Sequence, residues 1–171
     1  MKNILYVLAF VFALTSCQKP AKIGFVDNGT VINDYQEKKD LETKFEKKEE
    51  DFRKKADSIG RAFQQEVQAA QQQAQRASQA KAQELMNGLQ MKQQQLQQQM
   101  QTEQQALQLE FQSQIDSVIN KVKTFVKDYG KTNGYTFVLG TSDAAATVMY
   151  GADEHDLTQT ILSALNEAYK K

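Results

Sequence analysis

From Leu41 to Tyr129 the chain keeps a strict beat of 11 residues. Leu41, Phe52, Phe63, Ala74, Leu85, Leu96, Leu107, Val118 and Tyr129 form one row. Phe45, Ala56, Val67, Ser78, Leu89, Met100, Phe111 and Val122 form a second, four residues later. Eleven residues make three turns at about 3.67 per turn, close to the undistorted α-helix, so both rows hold one face with little or slightly right-handed supercoiling. The glutamines of 90–111 then occupy the polar positions of an amphipathic helix, and Leu96, Met100, Leu107 and Phe111 form its apolar stripe. Glutamine is a good helix former. A disordered or aggregating glutamine tract would have no need of this register.

The helical pattern starts near Val31 and runs for about 100 residues, roughly 150 Å if continuous. So narrow a stripe cannot be buried by one helix alone. A fold-back over 31–130 gives two arms of roughly 70 Å. Two sites can make the turn. Arg76-Ala77-Ser78-Gln79 lies nearer the midpoint, and Ser78 can cap the second arm. Asn87-Gly88 is the stronger local turn signal but leaves unequal arms. We favour a tip at 76–79. Most of the stripe is expected to pack helix against helix. Met86, Met91 and Leu109 fall outside the two rows and are candidates for contact with a partner.

The N-terminus reads as an export signal over 1–16. Met1-Lys2-Asn3 is followed by an apolar run, Ile4 to Leu14, too short to span a bilayer. The run ends in Leu14-Thr15-Ser16-Cys17, which resembles a bacterial lipobox. Cys17 is the only cysteine, and a lone free thiol would be a liability in an oxidising compartment. Lipidation at Cys17 and a tether over 17–22 are expected; the alternative is an ordinary signal peptide with an incidental cysteine.

The remaining segments, 23–30 and 131–171, are short. Ile23–Asp27 and Tyr135–Leu139 read as strands, and Ala145–Tyr150 as a third. Gly130 is the expected cap of the long helix. Asp156-Leu157-Thr158-Gln159 has capping-box form and opens a last helix, with a stripe of Leu157, Ile161, Leu162, Leu165 and Tyr169. The fold class is thus α+β, a small β body carrying a long antiparallel coiled-coil hairpin. A body this small has too few strands to stand alone, and oligomerisation is the natural remedy. Ile23, Phe25, Val26, Tyr135, Phe137, Val138 and Leu139 are the residues expected to form the shared interface.

Chemistry for catalysis is not evident. The single histidine, His155, sits in Asp153-Glu154-His155-Asp156 and reads as an acidic first turn rather than a metal site. Glu49-Glu50-Asp51 lies among lysines, as on a solvated helix face. There is no glycine-rich phosphate loop, nucleophile elbow or Cys/His pair. We therefore expect no enzyme activity, cofactor or metal. The 21 basic and 21 acidic side chains give no reason to expect nucleic acid as a partner.

Lys22-Ile23-Gly24-Phe25-Val26-Asp27, Gly134-Tyr135-Thr136-Phe137-Val138-Leu139, and Asp156-Leu157-Thr158-Gln159 followed by Ile161–Asn166 resemble the Skp/OmpH family of periplasmic chaperones across 22–168. The resemblance implies a homotrimer whose β body carries three helical hairpins. They enclose a cavity that holds unfolded outer-membrane proteins without ATP. It also implies a periplasmic location; the lipobox, by its own resemblance to lipoprotein signals, adds an expected lipid anchor in the inner leaflet of the outer membrane. Gln18 after Cys17 is consistent with that membrane. The alternative is a lipid-anchored coiled-coil spacer of the envelope, though a spacer has no need of a fold-back. Two features depart from the family pattern. The chain carries a lipobox, and its arms are nearly uncharged: within 58–115, Arg61, Arg76, Lys81 and Lys92 balance Glu66, Glu84, Glu103 and Glu110.

Overall fold

The structure, a computed structural model, describes residues 20–142 and 145–170. Cys17 and the expected export signal over 1–16 lie outside the described residues. Strand β1 (Ile23–Asp27) leads into a short helix, α1 (Asn28–Asp34). Asn28-Gly29-Thr30 is the first turn of that helix because Asp27 caps it. The Asp27 carboxylate accepts from the Thr30 backbone N–H at 3.1 Å and from the Thr30 hydroxyl at 3.1 Å. The chain breaks at Tyr35, whose extended backbone ends α1 and turns its ring into the core.

Two long helices follow. Helix α2 (Gln36–Arg76) has 41 residues and α3 (Gln79–Thr132) has 54, roughly 60 and 80 Å at 1.5 Å per residue. They meet at Ala77-Ser78, where the Ser78 hydroxyl accepts from Lys81 N–H at 3.4 Å. Asn87-Gly88 lies inside α3, because helical hydrogen bonding there outweighs the local turn preference. Both 11-residue rows are buried or half-buried between the arms, apart from Ser78 at the tip.

Helix α3 does not stop at Gly130. It runs to Thr132, and Gly134 takes the left-handed conformation (φ 70°). Tyr135 N–H bonds the Gly130 carbonyl (2.9 Å) and Gly134 N–H that of Lys131 (3.3 Å), the paired closure of a Schellman cap. Gly130 serves packing instead: a Cβ there would lie 3.2 Å from Val138 Cγ2.

Strand β2 (Phe137–Thr141) pairs in parallel with β1, Ile23 opposite Phe137 and Phe25 opposite Leu139. Parallel neighbours need a crossover connection, and here the crossover is the entire arm. The described sheet has these two strands only. The expected third strand at Ala145–Tyr150 is irregular, since Ala145 and Thr147 spend their N–H groups on local turns with Ser142 and Ala145. The free edge of β1 is met by a single bridge from Phe25 to Asp156, and Leu157 N–H bonds the Phe25 carbonyl at 2.8 Å.

Asp153–His155 form a 3-10 turn of their own, ahead of the last helix rather than in its first turn. Helix α4 (Thr158–Tyr169) starts one residue later than a capping box on Asp156 would place it, and the Asp156 carboxylate accepts from Thr158 N–H at 2.8 Å. Ile161, Leu162 and Leu165 join Val26, Val31 and Tyr35 in one core that continues through Leu41, Phe45, Val118 and Val122 into the arm root. Body and arm are therefore welded at the root by shared apolar burial.

Candidate functional site

Phe45 and Phe111 pack across the arms with ring centroids 5.0 Å apart. Along the flank of this seam run four ion pairs between α2 and α3: Glu37–Lys121, Lys48–Glu110 (2.6 Å), Lys55–Glu103 (2.7 Å) and Glu66–Lys92. Their positions step by 11, 7 and 11 residues up α2 and by the same intervals down α3, as one antiparallel register requires. The pairs are part-exposed, so each contributes little to stability, of the order of 0.2–1 kcal/mol. Their effect on surface character is larger. They draw Lys92, Glu103 and Glu110, three of the four charged side chains of α3 between Met86 and Ser117, into the seam between the helices.

The packing of the seam leaves the three off-row candidates outside. Met86 is 38%, Met91 67% and Leu109 71% exposed. Exposed apolar side chains of this size on a long polar helix are available to a partner. Nearer the body, α3 carries an open groove of ≈ 670 Å³ bordered by Asn120, Thr124, Phe125, Asp128 and Tyr129.

At the arm root the contacts are polar and specific. Tyr35 donates to Glu37 (2.8 Å), Tyr169 donates to Asp40 (3.0 Å), and the Tyr35 and Tyr169 rings meet edge-on at 6.0 Å. Burial, with the Glu37 carboxylate, holds the Tyr35 hydroxyl well above the ordinary phenol pKa. The Asn166 side chain accepts from Gln36 N–H at 2.8 Å, taking up one free donor at the start of α2. These bonds tie α4 to the base of the arm. No sequence motif announced them, because Tyr35, Asp40 and Tyr169 are brought together only by the break at Tyr35.

The seven residues expected at an interface divide between the two faces of the sheet. Ile23, Phe137 (58% exposed) and Leu139 are exposed, and with half-buried Phe25 they share the outer face through the Ile23–Phe137 and Phe25–Leu139 pairings. Val26 is 1% exposed and belongs to the subunit's own core; half-buried Val138 packs against that core beside Gly130. Tyr135 lies between Tyr129 (ring centroids 6.3 Å) and the Lys22 ammonium, 4.0 Å from its centroid. Met149 and Tyr150, in the loop expected as a strand, are also fully available to solvent. Sequence reasoning missed them as surface residues by assigning them to a sheet.

Among the described residues, no group of three or more His, Cys, Asp or Glu side chains could hold a metal ion. His155 stands exposed in the 3-10 turn. No helix among the described residues is long and apolar enough to cross a membrane.

A small α+β base from which one long helical hairpin projects, its seam closed and its outer surface open, defines an arm-bearing coiled-coil protein. Comparison with known families then identifies it: the model of the OmpH-like outer membrane proteins matches residues 22–165, and the chain belongs to that family. Among solved structures it is similar to a candidate outer membrane chaperone (OmpH-like) from Caulobacter crescentus CB15. The TM-score is 0.75 and the identity 14%, over 88% of this chain and 87% of that one. At that identity the likeness concerns the fold. A search of curated proteins gives no match.

Proposed function

We propose that the protein is an ATP-independent holdase chaperone that keeps unfolded outer-membrane proteins apart between its helical arms. The observation that carries the reading is the arm itself. It is a hairpin of roughly 60 Å whose apolar rows are used up in its own seam while Met86, Met91 and Leu109 stay exposed. Such a surface offers an unfolded chain many weak apolar contacts and no strong one, so release follows when the client reaches a better apolar environment. Methionine suits this role because its flexible, polarisable side chain adapts to varied partners. Membership of the OmpH-like family and the fold shared with the Caulobacter protein support the reading.

In this account three copies associate through Ile23, Phe25, Phe137 and Leu139, which would otherwise leave an apolar strand face in water. The lipobox supports a lipidated Cys17 that holds the assembly at the periplasmic face of the outer membrane.

The test is light scattering of a urea-unfolded outer-membrane β-barrel protein diluted into buffer with and without the chain. The holdase suppresses aggregation at near-stoichiometric amounts with no nucleotide present. Unchanged scattering would reject the reading and leave an envelope spacer as the account of the arm.

A further inference from the structure

Where Lys48 meets Glu110 and Lys55 meets Glu103, the two helices of the arm lie side by side yet present opposite surfaces. On α2 between Lys39 and Arg61, every exposed residue except Thr43, Ser58 and Gly60 is charged. On α3 between Met86 and Ser117, only Lys92, Glu110 and Asp116 are charged among the exposed residues. Lys92 and Glu110 are held by Glu66 and Lys48 of α2, and Asp116 accepts a hydrogen bond from Gln112 at 3.0 Å. The other exposed residues of this stretch are glutamine, asparagine, serine, threonine, Gly88 and Ala106, with Met86, Met91 and Leu109 set among them. The strip is roughly 46 Å long at 1.5 Å per residue.

We infer that this uncharged face of α3 is the docking surface of the arm, that the charged stretch of α2 between Lys39 and Arg61 is the solvent-facing back of its body-proximal half, and that the occupant is an extended, uncharged polypeptide segment with unpaired backbone amides. The inference rests on the chaperone reading and adds the face to it. Complementarity of charge and solvation carries it. A neutral chain laid on α2 would strip water from ions and give them no partner, which is costly. On α3 the same chain displaces water from neutral groups, because within this stretch Lys92 and Glu110 are already matched against α2 and Asp116 is hydrogen-bonded to Gln112.

Each glutamine offers two donors and an acceptor, so the strip can meet backbone N–H and C=O groups at any register. That tolerance suits a client with no fixed sequence. Met86, Met91 and Leu109 supply apolar footholds along it.

The experiment places a photo-crosslinking phenylalanine analogue in the full-length protein at Gln98 or Leu109 on α3, and at Glu50 or Asp57 on α2. The probe is a urea-unfolded outer-membrane β-barrel protein. All four positions are exposed, and helicity and native mass are checked for each variant. The α3 positions should crosslink to the barrel protein several times more often than the α2 positions. In parallel, Gln98→Glu with Leu109→Lys should weaken binding about tenfold, equivalent to about 1.4 kcal/mol. The matched pair Thr43→Glu with Ser58→Lys on α2 should leave affinity within about twofold, below 0.5 kcal/mol. Equal crosslinking from both helices overturns the assignment of the face while the chaperone reading stands. So do α3 adducts formed only with a second copy of the chain or only with vesicle lipid. A wild-type protein that does not bind the barrel overturns both.

Discussion

Ile161→Ala tests how the arm is held. Ile161 is 0% exposed and lies in the core shared by the sheet, α1, α4 and the arm root. The substitution removes three buried carbons, about 2.4 kcal/mol at ~0.8 kcal/mol each. A residual void of roughly 60 Å³ at about 24 cal/mol per Å³ adds about 1.5 kcal/mol. The expected loss is about 4 kcal/mol, inside the 2–5 kcal/mol typical of such changes and a large part of the 5–15 kcal/mol that stabilises most proteins. At about 2–4 °C per kcal/mol for a chain of this size, the body transition should fall by roughly 10 °C. The protein has no tryptophan, so near-UV circular dichroism of tyrosine reports the body, where Tyr35 and Tyr169 meet, and far-UV signal reports the arm. Leu85→Ala, on a half-buried seam position of the arm, should cost less than half as much. A loss below about 1.5 kcal/mol for Ile161→Ala, smaller than its transfer contribution alone, would refute a core continuous from body to arm.

Three further outcomes are expected. Cys17→Ser should move the protein from the membrane fraction to the soluble periplasm; a wild type already soluble removes the lipobox from the account. Phe137→Asp should lower the native mass to that of one subunit with helicity unchanged, because the residue is 58% exposed within the subunit and an unpaired carboxylate is costly only in a buried interface. A native mass unaffected by the change argues against that face. Binding of an unfolded barrel protein should weaken by less than about threefold from roughly 50 to 500 mM NaCl, a range that shortens the Debye length about threefold. A tenfold loss would mean that charges such as those of Lys44 and Lys47 grip the client.

The arm was legible in the sequence because its rule is periodic. An 11-residue beat names the seam positions one by one, and Leu41, Phe45, Val118 and Val122 are the ones buried deepest at its root. Ser78, a weak turn signal by itself, could be read as the cap because it lies near the midpoint of the helical span 31–130, where a fold-back gives arms of matched length. The body was less legible because its contacts are few and distant in sequence. Gly130 carried the composition of a helix end, yet the cap formed at Gly134, where the left-handed backbone falls. Ala145–Tyr150 had strand composition, yet local turn hydrogen bonds took the donors of Ala145 and Thr147.

Alternation alone could place Val26 and Val138 on a sheet but could not say which face meets the subunit's own core. The structure puts both on the inner face and leaves Ile23, Phe137 and Leu139 outside. The root contacts among Tyr35, Glu37, Asp40 and Tyr169 span up to 129 residues, a separation over which no local pattern speaks. The two-faced character of the arm was open to the sequence only in part. Counting charge within 58–115 shows balance, but the pairing of Lys48 with Glu110 and Lys55 with Glu103 shows where that charge goes.

The most direct test of the chaperone account follows one client through holding and release. A urea-unfolded outer-membrane β-barrel protein is diluted into the chain without nucleotide, and lipid vesicles are added later. Light scattering and the heat-resistant electrophoretic mobility of the folded barrel are recorded together. The account predicts a client that stays soluble and unfolded until vesicles arrive and then folds into them. A client that aggregates as fast as it does alone, or one that stays trapped after vesicles are added, would contradict it.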